Sequence, residues 1–569
     1  MNGTKAFFNQ TTFNKLIFIR SQLTWNWLTA LPLLFAVASV LHFDVFYYSH
    51  DTPKWLLIDT VLALFVFCKL KWRILSLGWI GIVTSTFVYL MLASVLWAPN
   101  IYMSLEFCLR FTLFLLVLIT LQQNYSSKQI VNLLMNSCFV SAVAFSAMFI
   151  LERISNVPYN TGSYTPIGFI NNAGHVFNIW IPCLILLLIR NWRTPRYCLL
   201  LSFSILTIVT VLMMSAIRST IFALIISELI LFLIVFFKNK KQALLFLSIS
   251  TLLMVGITTF KYSDHLADGR LSAKLKAVQN NLSGSYQARL NMLQNSKLMT
   301  LENPFGVGIN NFEYIHPKYA SMNSESKSPM VGHNTVLKTP HNFIAKITTE
   351  LGFIGGTIIF ILLLYYWLSA LSLAWRGELA DRWLFVALTA TLIHAQTSAV
   401  FLTPLSFLFS LLLFSAIHAR KIESKKTRRV IQFRIPAQVQ SYVLIIPMLS
   451  LTYTVSEFYA FKGTKQSDPS LLKKAVAINP GNDRAWLQLS LLNSYRMNDQ
   501  ESSLVSINKF LKLNPEHLFG QYFKAQLLIK MNQFDKADAL LIRVLEKHVN
   551  YQQAIELLEE SNKIRRNYS

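Results

Sequence analysis

Two arginines and a histidine are the residues of this sequence best suited to chemistry. Arg218 stands between two apolar runs, Arg289 lies in the long polar segment further on, and His341 directly precedes the next apolar run. Guanidinium groups stay charged at biological pH and match phosphate oxygens with paired hydrogen bonds, so the two arginines are suited to hold a diphosphate. An imidazole has an ordinary pKa of about 6.5, so His341 can take a proton from a hydroxyl without a metal.

Each of these residues also has a plainer interpretation. An arginine near membrane depth, such as Arg218, often only extends its charge to the membrane surface. A loop histidine is often a structural hydrogen-bonding group, and His316 and His333 occur in the same polar segment as His341. The site interpretation therefore depends on whether the protein brings the three residues to one side of a membrane.

The composition is that of an integral membrane protein. Of the residues, 53% are hydrophobic and only 14% are charged, whereas soluble domains carry roughly 25% charged residues. The 52 Lys and Arg outnumber the 27 Asp and Glu, but they form short clusters between apolar runs rather than a basic stripe, which argues against nucleic-acid binding. The five cysteines show no CxxC or Cys/His spacing, so no disulfide framework, metal site or cofactor is predicted.

Apolar runs long enough to cross a bilayer, which takes about 20 residues, divide most of the chain. They predict an all-α, polytopic membrane protein of about 12 or 13 transmembrane helices, the number depending on whether the short second run crosses. The first run is expected to be retained rather than cleaved as a signal peptide. The predicted spans lie near residues 26–43, 55–68, 74–97, 105–121, 129–151, 168–190, 197–215, 217–237, 242–260, 342–369, 384–400, 403–419 and 438–460.

Lysines and arginines cluster in alternate connections, which the positive-inside rule assigns to the cytoplasm. Residues 1–25 are then a cytoplasmic N-terminal segment, 26–460 the membrane domain, and 261–341 a large external loop. That loop contains nine Lys and Arg, but loops beyond about 60 residues cross the membrane largely regardless of charge. Arg218, at the outer end of its span, Arg289 and His341 are therefore predicted on the same side.

The chain beyond residue 461 is polar and helical in pattern. Ile478-Asn479-Pro480 recurs as Leu513-Asn514-Pro515, thirty-five residues later, which is close to the tetratricopeptide period. We predict an external, tetratricopeptide-like helical repeat domain at 461–569, whose two to three repeats stack on one another. A generic helical appendage is the alternative.

The polar motifs, taken in order, resemble those of the O-antigen ligase and polymerase superfamily of bacterial membrane glycosyltransferases. The resemblance covers roughly residues 168–420, most of the membrane domain. The motifs are Ser215-x-x-Arg218-Ser219, Arg289 ahead of Asn303-Pro304-Phe305-Gly306-x-Gly308, and His341-Asn342 leading into Glu350-x-Gly352-x-x-Gly355. We expect Glu350 and the glycines of the last motif to permit close helix packing.

The resemblance implies a reaction and its participants. Members transfer a glycan from undecaprenyl diphosphate to a hydroxyl on a glycan, on lipid A-core or on a protein, without a metal or other cofactor. By it, Arg218 and Arg289 hold the diphosphate leaving group and His341 activates the acceptor. The substrate-binding residues expected are Asn342 and, from the start of a span, Asn171, Asn172 and His175.

The resemblance also implies a location. It is the bacterial inner membrane, with loop 261–341 and the repeats on the periplasmic side. The repeats favour an O-antigen ligase or a protein O-oligosaccharyltransferase, and a repeat-unit polymerase is the alternative. A lipid-linked glycan transporter would bury charges at the midplane of several helices, and an assembly scaffold would need no such residues on one side.

Overall fold

A computed structural model describes residues 26–70, 75–155, 164–215, 218–237, 284–320, 337–424, 431–433 and 442–568. It confirms the all-α polytopic architecture, with twenty α-helices and four very short strands among these residues. The membrane region contains α1 (Trp27–Val40), α2 (Thr52–Lys69), β1 (Leu75–Leu77), α3 (Trp79–Ser94), α4 (Ile101–Asn124), α5 (Ser127–Ile154), β2 (Tyr164–Thr165), β3 (Gly168–Phe169), α6 (Ile170–Asn191), α7 (Pro195–Ser215), α8 (Arg218–Phe236), α9 (Gly284–Glu302), α10 (Phe312–Ala320), α11 (Phe343–Arg376), α12 (Leu379–Ala395), α13 (Pro404–Glu423), β4 (Ile431–Phe433) and α14 (Ile445–Gln466).

The apolar runs of the sequence correspond to helices wherever the structure describes them. Nine of the described helices are long and apolar enough to cross a membrane. The helix α1 is apolar but shorter, and α2 carries Lys54, Asp59 and Lys69 within its 18 residues. The predicted span at 242–260 lies outside the described residues, so the number of spans stays a prediction.

Charged residues connect three helices at the end of the bundle that we call the Arg420 end. Arg420 on α13 holds Asp381 on α12 with two hydrogen bonds of 2.8 Å, and Lys421 donates to the Ser372 hydroxyl on α11 at 3.0 Å. The strands β1 and β4 pair antiparallel, which joins the connection between α2 and α3 to the connection between α13 and α14. These two connections therefore lie together at the Arg420 end, and their cytoplasmic location stays a prediction.

The opposite end of the bundle, which we call the His341 end, carries the C-terminal helices. These are α15 (Pro469–Ile478), α16 (Asp483–Tyr495), α17 (Gln500–Leu513), α18 (Leu518–Lys530), α19 (Phe534–Lys547) and α20 (Gln552–Tyr568), each packed on the next. The Asn100 amide, in the connection between α3 and α4, donates to the Gly481 carbonyl at 3.2 Å and to the Tyr314 hydroxyl at 3.2 Å. The C-terminal region thus contacts both the membrane helices and the polar segment before His341.

A glycine kink in α11 receives the turn that follows α9. Gly352 has φ +70° and ψ −172°, a conformation open essentially only to glycine. The Phe353 amide donates to the Pro304 carbonyl at 3.2 Å, and the Gly308 amide donates to the Glu350 carbonyl at 3.0 Å. Helix packing was therefore the wrong explanation for Gly352, because its missing Cβ makes room for a loop rather than for another helix.

Candidate active site

The buried centre of the site is His394, near the C-terminal end of α12. Its Nδ1 lies 2.7 Å from the Asn178 amide nitrogen on α6, and its Nε2 lies 2.9 Å from the Ser219 hydroxyl on α8. Because the Asn178 amide is assigned as the donor, Nδ1 accepts and the proton of a neutral ring sits on Nε2, which donates to Ser219. One imidazole therefore ties together three helices directly below the His341 end.

A second buried histidine stands against the first. His175 on α6 has its ring centroid 4.9 Å from that of His394, with the two planes 72° apart. Its Nε2 is 2.7 Å from the Ser398 hydroxyl, while its buried Nδ1 has no hydrogen-bond partner among the described residues. Polar groups at this depth are expected to line a bundle interior or a wet cavity, so this pair marks the floor of a polar site.

The loop before α11 holds His341 above this floor. His341 has φ +55°, in the left-handed region that non-glycine residues rarely adopt, and its amide donates to the Thr339 hydroxyl at 3.3 Å. The next residue, Asn342, caps α11 by accepting from the Ala345 amide at 2.9 Å, and its own amide donates to the Gln396 carbonyl at 3.2 Å. Such local strain persists only where surrounding bonds impose it, and it clusters at functional sites.

The electrostatics of His341 suit a proton acceptor. Burial lowers the pKa of His341, and the nearby positive charge of Arg289 lowers it further. The imidazole is therefore neutral at pH 7, and it makes no hydrogen bond to the residues that the structure describes. The Arg289 side chain, exposed on α9, is close enough for its charge to act on His394 as well.

The other predicted site residues differ in how they are placed relative to the histidines of the site. Arg218 is the first residue of α8, so its backbone adjoins the Ser219 hydroxyl, while its side chain lies outside the described part of the chain. Asn171 is exposed and Asn172 half-buried at the start of α6, where Asn172 lies beside Gly168 at the rim. Asn342 has its amide committed to the cap and to Gln396, so its contact with substrate, like those of Asn171 and Asn172, stays a prediction.

The sequence reasoning missed His394 and Asn178. Both stand alone in apolar runs, where a single polar residue is easily taken as incidental, although an ionisable residue inside a span is by default a sign of function. Within the described residues, no group of three or more His, Cys, Asp or Glu side chains is arranged to hold a metal ion.

Comparison with known families matches one part of the chain. Residues 181–360 match the family model described as O-antigen ligase, and the matched range contains Arg218, Arg289 and His341. A search of curated proteins found no match. Members of the matched family are membrane glycosyltransferases and ligases. Residues 181–360, about a third of the chain, are therefore similar to the O-antigen ligase family.

Proposed function

We propose that the protein transfers a glycan from undecaprenyl diphosphate to an acceptor hydroxyl on the outer face of the bacterial inner membrane. The observation that carries the proposal is the pairing of a neutral, partly buried His341 with the charge of Arg289 at the polar end of the bundle. Transfer from a diphosphate needs a base for the acceptor and a cation for the leaving group, and these two residues supply one of each.

The proposed reaction is a single displacement. The acceptor oxygen attacks the anomeric carbon and forms the new glycosidic bond as the bond from that carbon to the diphosphate oxygen breaks. The acceptor proton passes to the free imidazole of His341, and the electron pair leaves with the diphosphate. Arg289 and Arg218 stabilise the leaving anion, since a guanidinium binds phosphate oxygens in pairs and keeps its charge.

The helix ends around the site support the same assignment. The helices α6, α8 and α11 all begin at the His341 end, and the N-terminal end of a helix carries a partial positive charge from its free amides. The bond from His394 to Ser219 fixes the start of α8, and hence the position of Arg218. We assign His394 and His175 positioning roles, with Asn171, Asn172 and Asn342 as rim residues that meet the glycan.

Three variants test the separate roles of the base and of the two arginines. The assay uses reconstituted membranes supplied with a lipid-linked glycan and an acceptor. Replacing His341 by Ala should lower transfer by about 10²- to 10⁴-fold, the usual worth of a general base, with donor affinity kept. Arg218→Lys and Arg289→Lys keep the charge but lose the paired hydrogen bonds, so donor affinity should fall together with turnover. His42→Ala is the matched control, because this histidine stacks on His50 at the same end of the bundle.

Two results would count against these roles. Full transfer by the His341→Ala protein excludes His341 as the base, and wild-type donor affinity in both lysine variants excludes the arginines as the diphosphate clamp. Full transfer by all three variants assigns the chemistry to other residues, whereas no transfer by the unmodified protein points instead to a transporter or scaffold.

The acceptor class is tested separately. We propose that the C-terminal repeats, tetratricopeptide-like in period, present the acceptor, which favours an O-antigen ligase or a protein O-oligosaccharyltransferase. Glycan profiles of surface lipid and of secreted protein from a deletion strain distinguish these two by which product disappears. Loss of long glycan chains while single units are still attached would identify the repeat-unit polymerase.

A further inference from the structure

A cationic groove crosses the C-terminal helices on the side formed by α17, α18 and α19. Its cavity volume is about 440 Å³. Six of its lining residues matter here: Leu504 and Asn508 on α17, Lys524 on α18, and Lys536, Leu540 and Arg543 on α19. The lining residues are four apart on α17, and three, four and seven apart on α19, so each of these helices turns one continuous face to the groove.

Two of the three acidic side chains of α19 are bound to a neighbouring helix. Asp535 and Asp538 bind Arg565 on α20 at 2.7 and 2.9 Å, on the opposite side of the helix. In this part of the chain, which the structure describes from 442 to 568, no Asp or Glu lines the groove. Asp535 and Asp538 are therefore bound to a neighbouring helix, while the cations Lys536 and Arg543 line the groove.

Lys524 shows that the groove lacks a counter-charge. The side chain is half-buried, and burial alone lowers its pKa, with no carboxylate close enough to oppose the effect. It forms no ion pair with the described residues. A half-buried ammonium without a partner costs free energy, which an anion supplied from outside would offset.

We propose that this groove binds an acidic, extended peptide segment of a partner protein. Lys524, Lys536 and Arg543 would take its carboxylates, and Asn508 would bond to its backbone. Leu504 and Leu540 line the same groove as the cations and suit alternating apolar side chains, which an anionic glycan does not offer. The inference rests on the proposed function, in which the repeats present the acceptor. Binding of the peptide itself requires no glycan transfer.

The test measures binding of a fluorescent peptide to the whole protein in detergent. The probe alternates Asp and Glu with Leu and Ala, and its control replaces every Asp and Glu by Asn and Gln. We expect saturable binding of the acidic probe that weakens with salt, because exposed charges are screened. The triple variant Lys524→Gln, Lys536→Gln, Arg543→Gln should raise Kd by about tenfold or more.

A charge-matched control separates the groove from the net charge. Lys473, Lys512 and Lys563 are exposed lysines outside the groove, and their triple replacement by Gln should change Kd less than about twofold. The proposal is overturned if the acidic probe does not bind, if both triple variants weaken it equally, or if polygalacturonate binds the groove and the acidic peptide does not.

Transfer assays distinguish this proposal from the chemistry. The His341→Ala protein should bind the acidic probe with the wild-type Kd, because the groove lies in the C-terminal helices. The groove variant should still transfer glycan to a small acceptor that needs no docking. Loss of probe binding in the His341→Ala protein would contradict the groove assignment, whereas its loss of transfer alone bears only on the proposed function.

Discussion

Replacing Gly352 by Ala tests the kink that docks the turn after α9 against α11. A Cβ at this position would lie 2.1 Å from the Pro304 carbonyl oxygen and 2.8 Å from the Phe305 Cα, far inside van der Waals contact. Neither atom belongs to a flexible side chain, so the backbone itself must move. The φ of +70° adds strain for any residue with a Cβ.

The size of the effect follows from strain and from lost hydrogen bonds. The strained backbone costs about 1–3 kcal/mol. Moving the turn also breaks the bond from the Phe353 amide to the Pro304 carbonyl and weakens those from Val307 and Gly308 to the kink, each worth about 1 kcal/mol. We therefore expect Gly352→Ala to cost about 2–5 kcal/mol of stability.

The functional loss should exceed the stability loss. The helix α9, which carries Arg289, ends at Glu302 directly before the docked turn, and α11 begins two residues after His341. Shifting the turn therefore changes the distance between the cation and the base. Positioning errors of about 1 Å can cost roughly 10²-fold in rate.

The assay pairs thermal unfolding in detergent with glycan transfer at a temperature where the variant is still folded. Gly78→Ala is the matched control, because a Cβ at Gly78 meets nothing within 4 Å and its φ of −75° suits any residue. It should lower stability by well under about 1 kcal/mol. If Gly352→Ala matches Gly78→Ala in both melting temperature and transfer rate, the docked turn does not hold the site together.

Three further changes test the electrostatics, the buried floor and the topology. Arg289→Gln removes the charge that lowers the His341 pKa, so the acid limb of the pH profile of transfer should move to higher pH. Arg289→Lys keeps the charge and should leave this limb in place. An unmoved limb in the Gln variant contradicts the electrostatic effect of Arg289 on His341. His394→Ala frees the start of α8 and should raise the KM for donor more than it lowers kcat; an unchanged KM removes its positioning role. A cysteine at Ser502 should react with a membrane-impermeant maleimide in whole spheroplasts, and one at Ser424 only after lysis; labelling of both or neither before lysis contradicts the proposed sidedness.

Hydropathy predicted the membrane helices well because their burial in lipid follows directly from side-chain type. The run predicted at 105–121 is a helix over Ile101–Asn124, longer by several residues at each end. The Asn100 side chain caps its start by accepting from the Met103 amide at 3.3 Å. Such caps are local polar contacts that a hydropathy window does not detect, which is why helix ends were less accurate than helix positions.

The site was predicted only as far as residue types reveal it. Arg289 and His341 were predicted as site residues because charged and titratable groups at a membrane boundary are conspicuous, and their roles stay a prediction. His394 was missed since its importance comes from its partners Asn178 and Ser219, which are 216 and 175 residues away in the chain. Gly352 was found but misinterpreted, because the sign of φ at a glycine is set by the loop that docks there, not by its neighbours in sequence.

Tyr48 connects the C-terminal helices to the segment that carries His341. The Tyr48 hydroxyl accepts from Arg484 on α16 at 2.9 Å and from Lys338 at 2.5 Å, and the Lys338 ammonium lies 3.8 Å from the Tyr48 ring centroid. Lys338 stands three residues before His341. These contacts therefore connect the C-terminal helices, which would hold a partner, to the loop of the proposed base. If the repeats present the acceptor substrate as proposed, the contacts of Tyr48 with Arg484 and Lys338 have a second effect. They also help to fix the loop that carries His341, the proposed base.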